Sequence, residues 1–195
     1  MKDKINIGII GCGYWGPNLI RNFSGLNNCS VLVVSDFKQG RLDFIKNEFP
    51  FVKTTLEYKE IIENPEIDAV CIATPVTTHC AIALEALNGR QGYMVFPLVE
   101  ESEKILEAAS RNDKKVAVGH VFQFAPAVRK IKEVIDSGIL GKIFHITSTR
   151  INLGPPKTEV DVIWDLGPHD FSILLYLLNE YPDDVSAVNS YYPFG

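Results

Sequence analysis

Ile5-Asn-Ile-Gly-Ile-Ile-Gly11-Cys-Gly13-Tyr-Trp-Gly16-Pro-Asn18 sets an apolar, strand-like run against a Gly-x-Gly-x-x-Gly turn and passes straight into an amphipathic helical pattern. Each glycine has a physical task. The first allows the tight turn, the second lets backbone approach a pyrophosphate, and the third lets helix and strand pack closely. The amides of the helix N-terminus then face the anion. Pro17 suits the first helical turn, where its missing N–H needs no partner. Trp15, Leu19, Phe23 and Leu26 are expected to line the inner face of that helix. A Gly-x-Gly-x-x-Gly placed between a strand and a helix is a dinucleotide signal, whereas the same motif alone is weak.

The second half of the signal follows. Val31-Leu-Val-Val-Ser-Asp36 reads as the next strand, ending in an acid twenty positions after Gly16. A carboxylate there accepts hydrogen bonds from the adenosine ribose hydroxyls and repels a 2′-phosphate. That favours NAD over NADP, with Phe37, Lys38 and Arg41 close behind it. The plainer alternative is that Asp36 only caps the helix expected over Lys38–Phe49.

Working outward, strand and helix patterns alternate through the first 120 residues. Strand-like runs fall at Lys4–Ile10, Val31–Ser35, Val52–Thr54, Ala69–Ala73, Tyr93–Phe96 and Val116–Val118. Helical patterns fall between them at Pro17–Leu26, Lys38–Phe49, Leu56–Glu63, Thr78–Leu87 and Glu100–Asn112. Such alternation predicts an α/β protein whose parallel sheet is covered by helices on both faces, a doubly wound Rossmann sheet. After Gly119-His120 the pattern changes. A helix over Ala127–Ser137 stopped by Gly138, a strand over Lys142–Ile151, a Gly154-Pro155-Pro156 loop, a helix over Pro168–Leu178 and a strand over Val185–Ser190 are expected. The expected division is residues 1–120 as a dinucleotide-binding domain and 121–195 as the start of an incomplete α+β domain for substrate and oligomerisation.

Composition narrows the class. The 195 residues are 46% apolar and 22% charged, enough for a packed core. A formal charge of −5 with no basic stripe argues against nucleic acid as a partner. No apolar run approaches the roughly 20 residues that span a bilayer, so no membrane partner is expected. Met1-Lys-Asp-Lys leads directly into a strand, which excludes a signal peptide from the reading and predicts a cytoplasmic protein. Cysteines at 12, 29, 71 and 80 show no metal-ligand spacing, so no metal, disulfide or catalytic thiol is assigned.

Several separate motifs together resemble the Gfo/Idh/MocA family of NAD(P)-dependent sugar and cyclitol oxidoreductases. Besides Gly11-Cys-Gly-Tyr-Trp-Gly16 they are Ala73-Thr74-Pro75-Val-Thr-Thr78-His79, Gly119-His120-Val-Phe122-Gln-Phe-Ala-Pro126, and Trp164-Asp165-Leu-Gly167-Pro-His169-Asp170. The resemblance implies that Gly11, Gly13, Tyr14, Trp15, Gly16 and Asp36 hold the dinucleotide, while Thr74, Pro75 and His79 border its nicotinamide half. His79 reads equally well as a helix-start residue making local hydrogen bonds. The Tyr-Trp-Gly-Pro-Asn form of the loop is similar to members that act on nucleotide-linked amino sugars, such as 3-dehydrogenases of UDP-linked N-acetylhexosamines.

Asp165-x-x-x-His169 has the i, i+4 spacing that places two side chains on one helical face. Imidazole is suited to moving a proton near neutral pH, and a neighbouring carboxylate orients it and raises its basicity. The resemblance implies that His169 takes the hydroxyl proton of a sugar or nucleotide-sugar substrate, with Asp165 as its partner or a substrate ligand. The bland alternative is an Asp capping a helix and a His packed near its start.

The chain also departs from the family pattern. Relatives carry Glu-Lys-Pro after the fifth strand, and their lysine stabilises the developing alkoxide. Here Val95-Phe96-Pro97 stands in that place. The expectation is therefore twofold: an NAD-dependent oxidoreductase acting on a ring hydroxyl, or a chain that binds NAD but has lost turnover, as a sensor or non-catalytic subunit. The family's large C-terminal sheet is expected to mediate a homo-oligomer.

Overall fold

A computed structural model describes residues 4–89, 92–95, 99–151 and 162–188. The chain divides into two compact units, Met1–Gly119 and His120–Gly195.

The first unit is a six-stranded parallel sheet. Its strands are β1 (Ile5–Ile10), β2 (Cys29–Ser35), β3 (Lys53–Thr55), β4 (Ala69–Ile72), β5 (Gly92–Val95) and β6 (Val116–Val118), in spatial order β3-β2-β1-β4-β5-β6. The helices between them are α1 (Gly16–Ser24), α2 (Gln39–Glu48), α3 (Lys59–Glu63), α4 (His79–Asn88) and α5 (Val99–Arg111). This is the doubly wound order in which the sheet reverses direction of growth at β1 and β4. The α/β class expected from the alternating pattern is the one observed.

Alternation along β1 makes two cores. Ile7 and Ile9 pack with Ile20 of α1 and with Leu42 and Ile45 of α2. Ile10 packs with Ile61 of α3, with Ile82 and Leu87 of α4 and with Ile105 of α5. The β1–β2 register shifts between Ile7, opposite Val31, and Gly8, opposite Val33, leaving Leu32 as an extra residue. The extra residue lets Val31 and Val34 serve one core and Val33 the other.

Three expectations need correction. The inner face of α1 is not Trp15 and Leu26, which are 59% and 49% exposed. It is Gly16 and Ile20, flanked by Leu19 and Phe23. Helix propensity and spacing allowed either stripe, and the close approach at Gly16 selected this one.

The second correction concerns the second unit, which contains α6 (Pro126–Asp136) and α7 (Val162–Leu178) after a short 3₁₀ turn, Val121–Phe124. Gly138, at φ +72°, stops the chain after α6 as expected. Lys142–Ile151, however, forms no strand. An extended apolar segment becomes a strand only when another strand satisfies its backbone, and among the described residues none pairs with it. Val185–Val188 likewise forms no strand, and Asn189 and Ser190 lie outside the described residues, as does the Gly154-Pro155-Pro156 loop.

Thirdly, α7 begins at Val162 rather than at Pro168, which lies inside the helix. Proline there removes one helical hydrogen bond. Across the α6–α7 pair, Arg129 stacks over Phe124 and Tyr176, and the Lys132 ammonium donates to the Leu177 carbonyl at 3.4 Å.

Candidate functional site

In the first unit, the C-terminal ends of β1, β2 and β4 bring three sequence-predicted segments together. The Gly11 amide donates to the Ser35 carbonyl at 2.8 Å, and the Ala73 amide to the Ile10 carbonyl at 2.7 Å. The turn between them is tight. Gly11 has φ +100°, and a Cβ on it would lie 2.7 Å from Ala73 carbon and oxygen and 2.9 Å from Thr74 nitrogen. At Gly16 a Cβ would meet the Gly11 carbonyl oxygen at 2.9 Å, so α1 seats directly on the loop. Gly13 differs: the nearest atom to a Cβ there is an Arg41 guanidinium nitrogen at 3.9 Å. Two glycines are therefore needed by the fold, and the middle one leaves open backbone at the start of α1.

Tyr14 and Trp15 stand exposed beside that open backbone, their rings edge to face at 5.4 Å. Pro17 occupies the first helical turn, as expected. Helix N-terminal amides next to unfilled space suit a diphosphate, so the residues present fit a dinucleotide.

Asp36 is buried and fully engaged within the chain. One carboxylate oxygen accepts from the Cys12 amide at 2.8 Å, and the other accepts from the Lys38 amide at 2.9 Å. Arg41 closes the set with a guanidinium donor 3.1 Å from Asp36 Oδ2. Of the two roles posed by the sequence, the geometry displays the one at the entrance to α2, through the Lys38 amide; Asp36 also ties the glycine loop to β2. Cys12 is buried beside it, and burial, with the Asp36 charge, pushes its thiol up to about 12. It stays protonated and unreactive.

Thr74 and Pro75 follow β4 and lead into a 3₁₀ turn, Val76–Thr78. The Thr78 hydroxyl lies 2.7 Å from the Thr74 hydroxyl and 2.8 Å from the Pro75 carbonyl oxygen. His79 is buried at the start of α4, with Nε2 2.7 Å from the Thr74 carbonyl oxygen. That contact is the local one of the two roles foreseen for His79: it holds the turn.

The second unit carries the imidazole cluster. His169 lies on α7, half-buried, with Phe122 packed edge to face against it at 4.9 Å between ring centres. Arg150 covers the same Phe122 ring at 4.9 Å and binds Asp170, Nε to Oδ2 at 2.5 Å. The Ser148 hydroxyl donates to Asp170 at 2.8 Å. Burial, then the positive charges of Arg150 and His120, push His169 below its ordinary 6.5, outweighing the carboxylates of Asp170 and Asp165. The carboxylates raise the basicity as expected, but burial and the neighbouring positive charges outweigh them, and the net direction is downward. Asp170 is held below the usual carboxylate range, chiefly by the Arg150 hydrogen bond.

The sequence singled out His169 and Asp165 but missed Arg150 and the role of Asp170. Spacing could not reveal a pair twenty residues apart whose connection crosses irregular backbone. Among the described residues no group of His, Cys, Asp and Glu is arranged to hold a metal, and no helix is long and apolar enough to cross a membrane. Phe96 and Pro97 lie outside the described residues.

Strand order, glycine loop and buried acid define a dinucleotide-binding domain. Comparison with known proteins agrees: a family model described as "Oxidoreductase family, NAD-binding Rossmann fold" matches residues 5–120, and one described as "GFO/IDH/MocA C-terminal domain" matches 128–193. The chain belongs to the Gfo/Idh/MocA family. The scyllo-inositol 2-dehydrogenase (NAD(+)) of Bacillus subtilis is 31% identical over 96% of this chain and 58% of that protein. Oxidoreductase P35 of Formosa agariphila is 30% identical over 92% of this chain and 62% of that protein. The chain thus spans about three fifths of the length of these relatives. Among solved structures, an NAD-binding protein from Listeria innocua superposes with a TM-score of 0.82 at 24% identity, over 89% of this chain and 55% of that one.

Proposed function

We propose that this chain is part of an NAD-dependent oxidoreductase that converts a ring hydroxyl of a polyol or sugar to a carbonyl. The observation that carries this is His169: a half-buried imidazole, packed on Phe122 beside the Arg150–Asp170 pair, in the region matched by the family's C-terminal domain. Gly11, Gly13, Tyr14, Trp15, Gly16 and Asp36 would hold the dinucleotide, with Thr74, Pro75 and His79 toward its nicotinamide. When bound, the nicotinamide accepts the hydride that leaves the carbinol carbon. His169 accepts the hydroxyl proton on an imidazole nitrogen, so the C–H and O–H bonds of the alcohol become a C=O. Asp165 serves as its partner or as a substrate ligand. Arg150, held by Asp170, disfavours the protonated form of the imidazole, while the Asp170 carboxylate acts in the opposite sense.

Inositols are the first substrates to test, because curated relatives include scyllo-inositol and inositol 2-dehydrogenases. The nucleotide-linked amino sugar alternative rests on Tyr14-Trp15-Gly16-Pro17-Asn18 alone. NADH formation should be followed with inositols, free hexoses and UDP-N-acetylhexosamines. His169→Ala is expected to abolish it, and unchanged turnover would sink the assignment.

One observation favours a second reading: Val95-Phe96 where the family pattern has glutamate and lysine. Under it the chain binds NAD without turning over. The double substitution Val95→Glu, Phe96→Lys would then create activity in an otherwise silent protein. Exposed Phe144, Ile146 and Ile151 support a homo-oligomer formed through the second unit. Four unpaired thiols support a cytoplasmic location.

A further inference from the structure

Phe122 meets both the imidazole and the cation beside it. Its ring centre lies 4.9 Å from that of His169, at an interplanar angle of 71°, and 4.9 Å from the Arg150 guanidinium. The guanidinium is itself fixed. Nε and Nη2 of Arg150 grip the two oxygens of Asp170 at 2.5 and 3.3 Å, a fork that sets the guanidinium plane. Asp170 follows His169 directly on α7. Phe122, Arg150, Asp170 and His169 therefore form a closed circuit of three contacts and one peptide bond.

The backbone that carries Phe122 is anchored as well. The Ala125 amide donates to the Phe122 carbonyl at 3.1 Å. From α6, the Arg129 Nε donates to the Gln123 carbonyl at 3.1 Å. On α7, the Ser172 carbonyl accepts from the Gln123 side chain at 3.2 Å, and the Ser172 hydroxyl donates to the His169 carbonyl at 2.9 Å. One buried serine thus ties the turn to the backbone of the imidazole. An aliphatic side chain would fill much of the same space as Phe122. It would offer neither a π face to a cation nor an edge-to-face contact to a second ring.

We propose that Phe122 is a positioning residue: it holds the His169 imidazole in one orientation and shields it from water, so that one ring nitrogen is presented to the alcohol. The proposal rests on His169 being the proton acceptor. The charged groups that bear on His169 are Arg150, His120, Asp170 and Asp165. Arg129 and Lys132 of α6 are engaged elsewhere, with Phe124, Tyr176 and the Leu177 carbonyl. Burial is the largest of the effects that lower the His169 pKa, so opening the Phe122 side should raise it.

Phe122→Leu, Phe122→Ala and Phe122→Tyr are compared with wild type, after urea unfolding confirms that each is folded. The His169 Cε1 proton, assigned by its loss in His169→Gln, is followed through a pH titration. Leu and Ala should remove the ring-current displacement of this signal and raise the pKa toward 6.5, whereas Tyr retains both. With an alcohol that wild type oxidises, Leu and Ala should lower kcat about tenfold or more with little change in KM. The acid limb of kcat/KM should move to higher pH with the titration, and Tyr should restore kcat and limb together. Where no alcohol is oxidised, the titration decides alone. A His169 signal and pKa unmoved by Leu and Ala, or moved while kcat and the acid limb stay put, overturns the positioning role and leaves His169 as proton acceptor. Wild-type turnover that survives His169→Gln overturns both.

Discussion

Gly11 lies against Ala73 with no room for a side chain, since a Cβ would fall 2.7 Å from two atoms of the Ala73 backbone. Backbone cannot step aside as a flexible side chain can. Gly11 also has φ +100°, where an L-residue is strained. Gly11→Ala is therefore expected to destabilise the first unit by about 2–4 kcal/mol, combining backbone strain and overpacking. Gly13→Ala, with its nearest neighbour at 3.9 Å, should change stability by less than about 1 kcal/mol. It should nevertheless weaken NADH binding by tenfold or more, because the methyl occupies the open side of the loop. Urea unfolding and calorimetric titration of the two variants separate the glycine the fold needs from the one the ligand needs.

The revised face of α1 yields a second expectation. Ile20 is 0% exposed in the core beneath β1, so Ile20→Ala should cost about 3 kcal/mol in urea unfolding. Trp15→Ala and Leu26→Ala should each cost under about 1 kcal/mol, although Trp15 is the larger side chain. A large loss at Trp15 with none at Ile20 would restore the stripe read from spacing.

A third concerns His169. Arg150→Gln removes a positive neighbour and releases the Asp170 carboxylate, so the His169 pKa should rise toward the ordinary value. Asp170→Asn keeps the Arg150 charge and removes an opposing one, so it should fall further. Histidine Cε1 proton shifts across a pH titration read both directions directly. Stability follows the same sign. Because burial and Arg150 hold the folded-state pKa below 6.5, the unfolded chain binds more protons just under pH 6.5. Stability contributed by neutral His169 is fully present above that pH and is lost as pH falls from there toward the folded value. His120, lowered by burial, adds a slope of the same sign. His169→Gln should flatten the pH dependence of the urea midpoint in this range, and an unaltered slope would exclude His169 as its source.

Much of the first unit could be read from the sequence because its signals are local. Strand runs and helix periods repeat within short windows, and the Gly11–Gly16 turn needs particular residues at particular offsets. Asp36 was equally visible, with Lys38 and Arg41 close behind it, but its Cys12 donor was not: that amide reaches it only once β1 and β2 lie side by side. The stripe on α1 was ambiguous because two apolar faces overlap, and only contact with the sheet distinguishes them. In the second unit, Lys142–Ile151 has the alternation of a strand, yet alternation cannot supply the neighbour that completes a hydrogen-bond ladder. Pro168 looked like a helix start, since proline is favoured there. Helix α7 instead continues through it, beside Gly167 and Phe171, whose ring would crowd any Cβ on Gly167 at 3.2 Å.

The placement of β1 in the middle of the sheet sets an order of events during synthesis. β1 can pair with β2, and β2 with β3, as soon as residues through Thr55 have emerged, and the Cys12–Asp36 bond closes within that half. The other edge of β1 waits for Ala69–Ile72, and with it the contact of Gly11 with Ala73. A nascent chain halted between these points would hold the acid end of the loop without its floor. Ribosome-stalled lengths on either side of Ala73 would therefore differ in nucleotide affinity, making ligand capture a reporter of how far the sheet has grown.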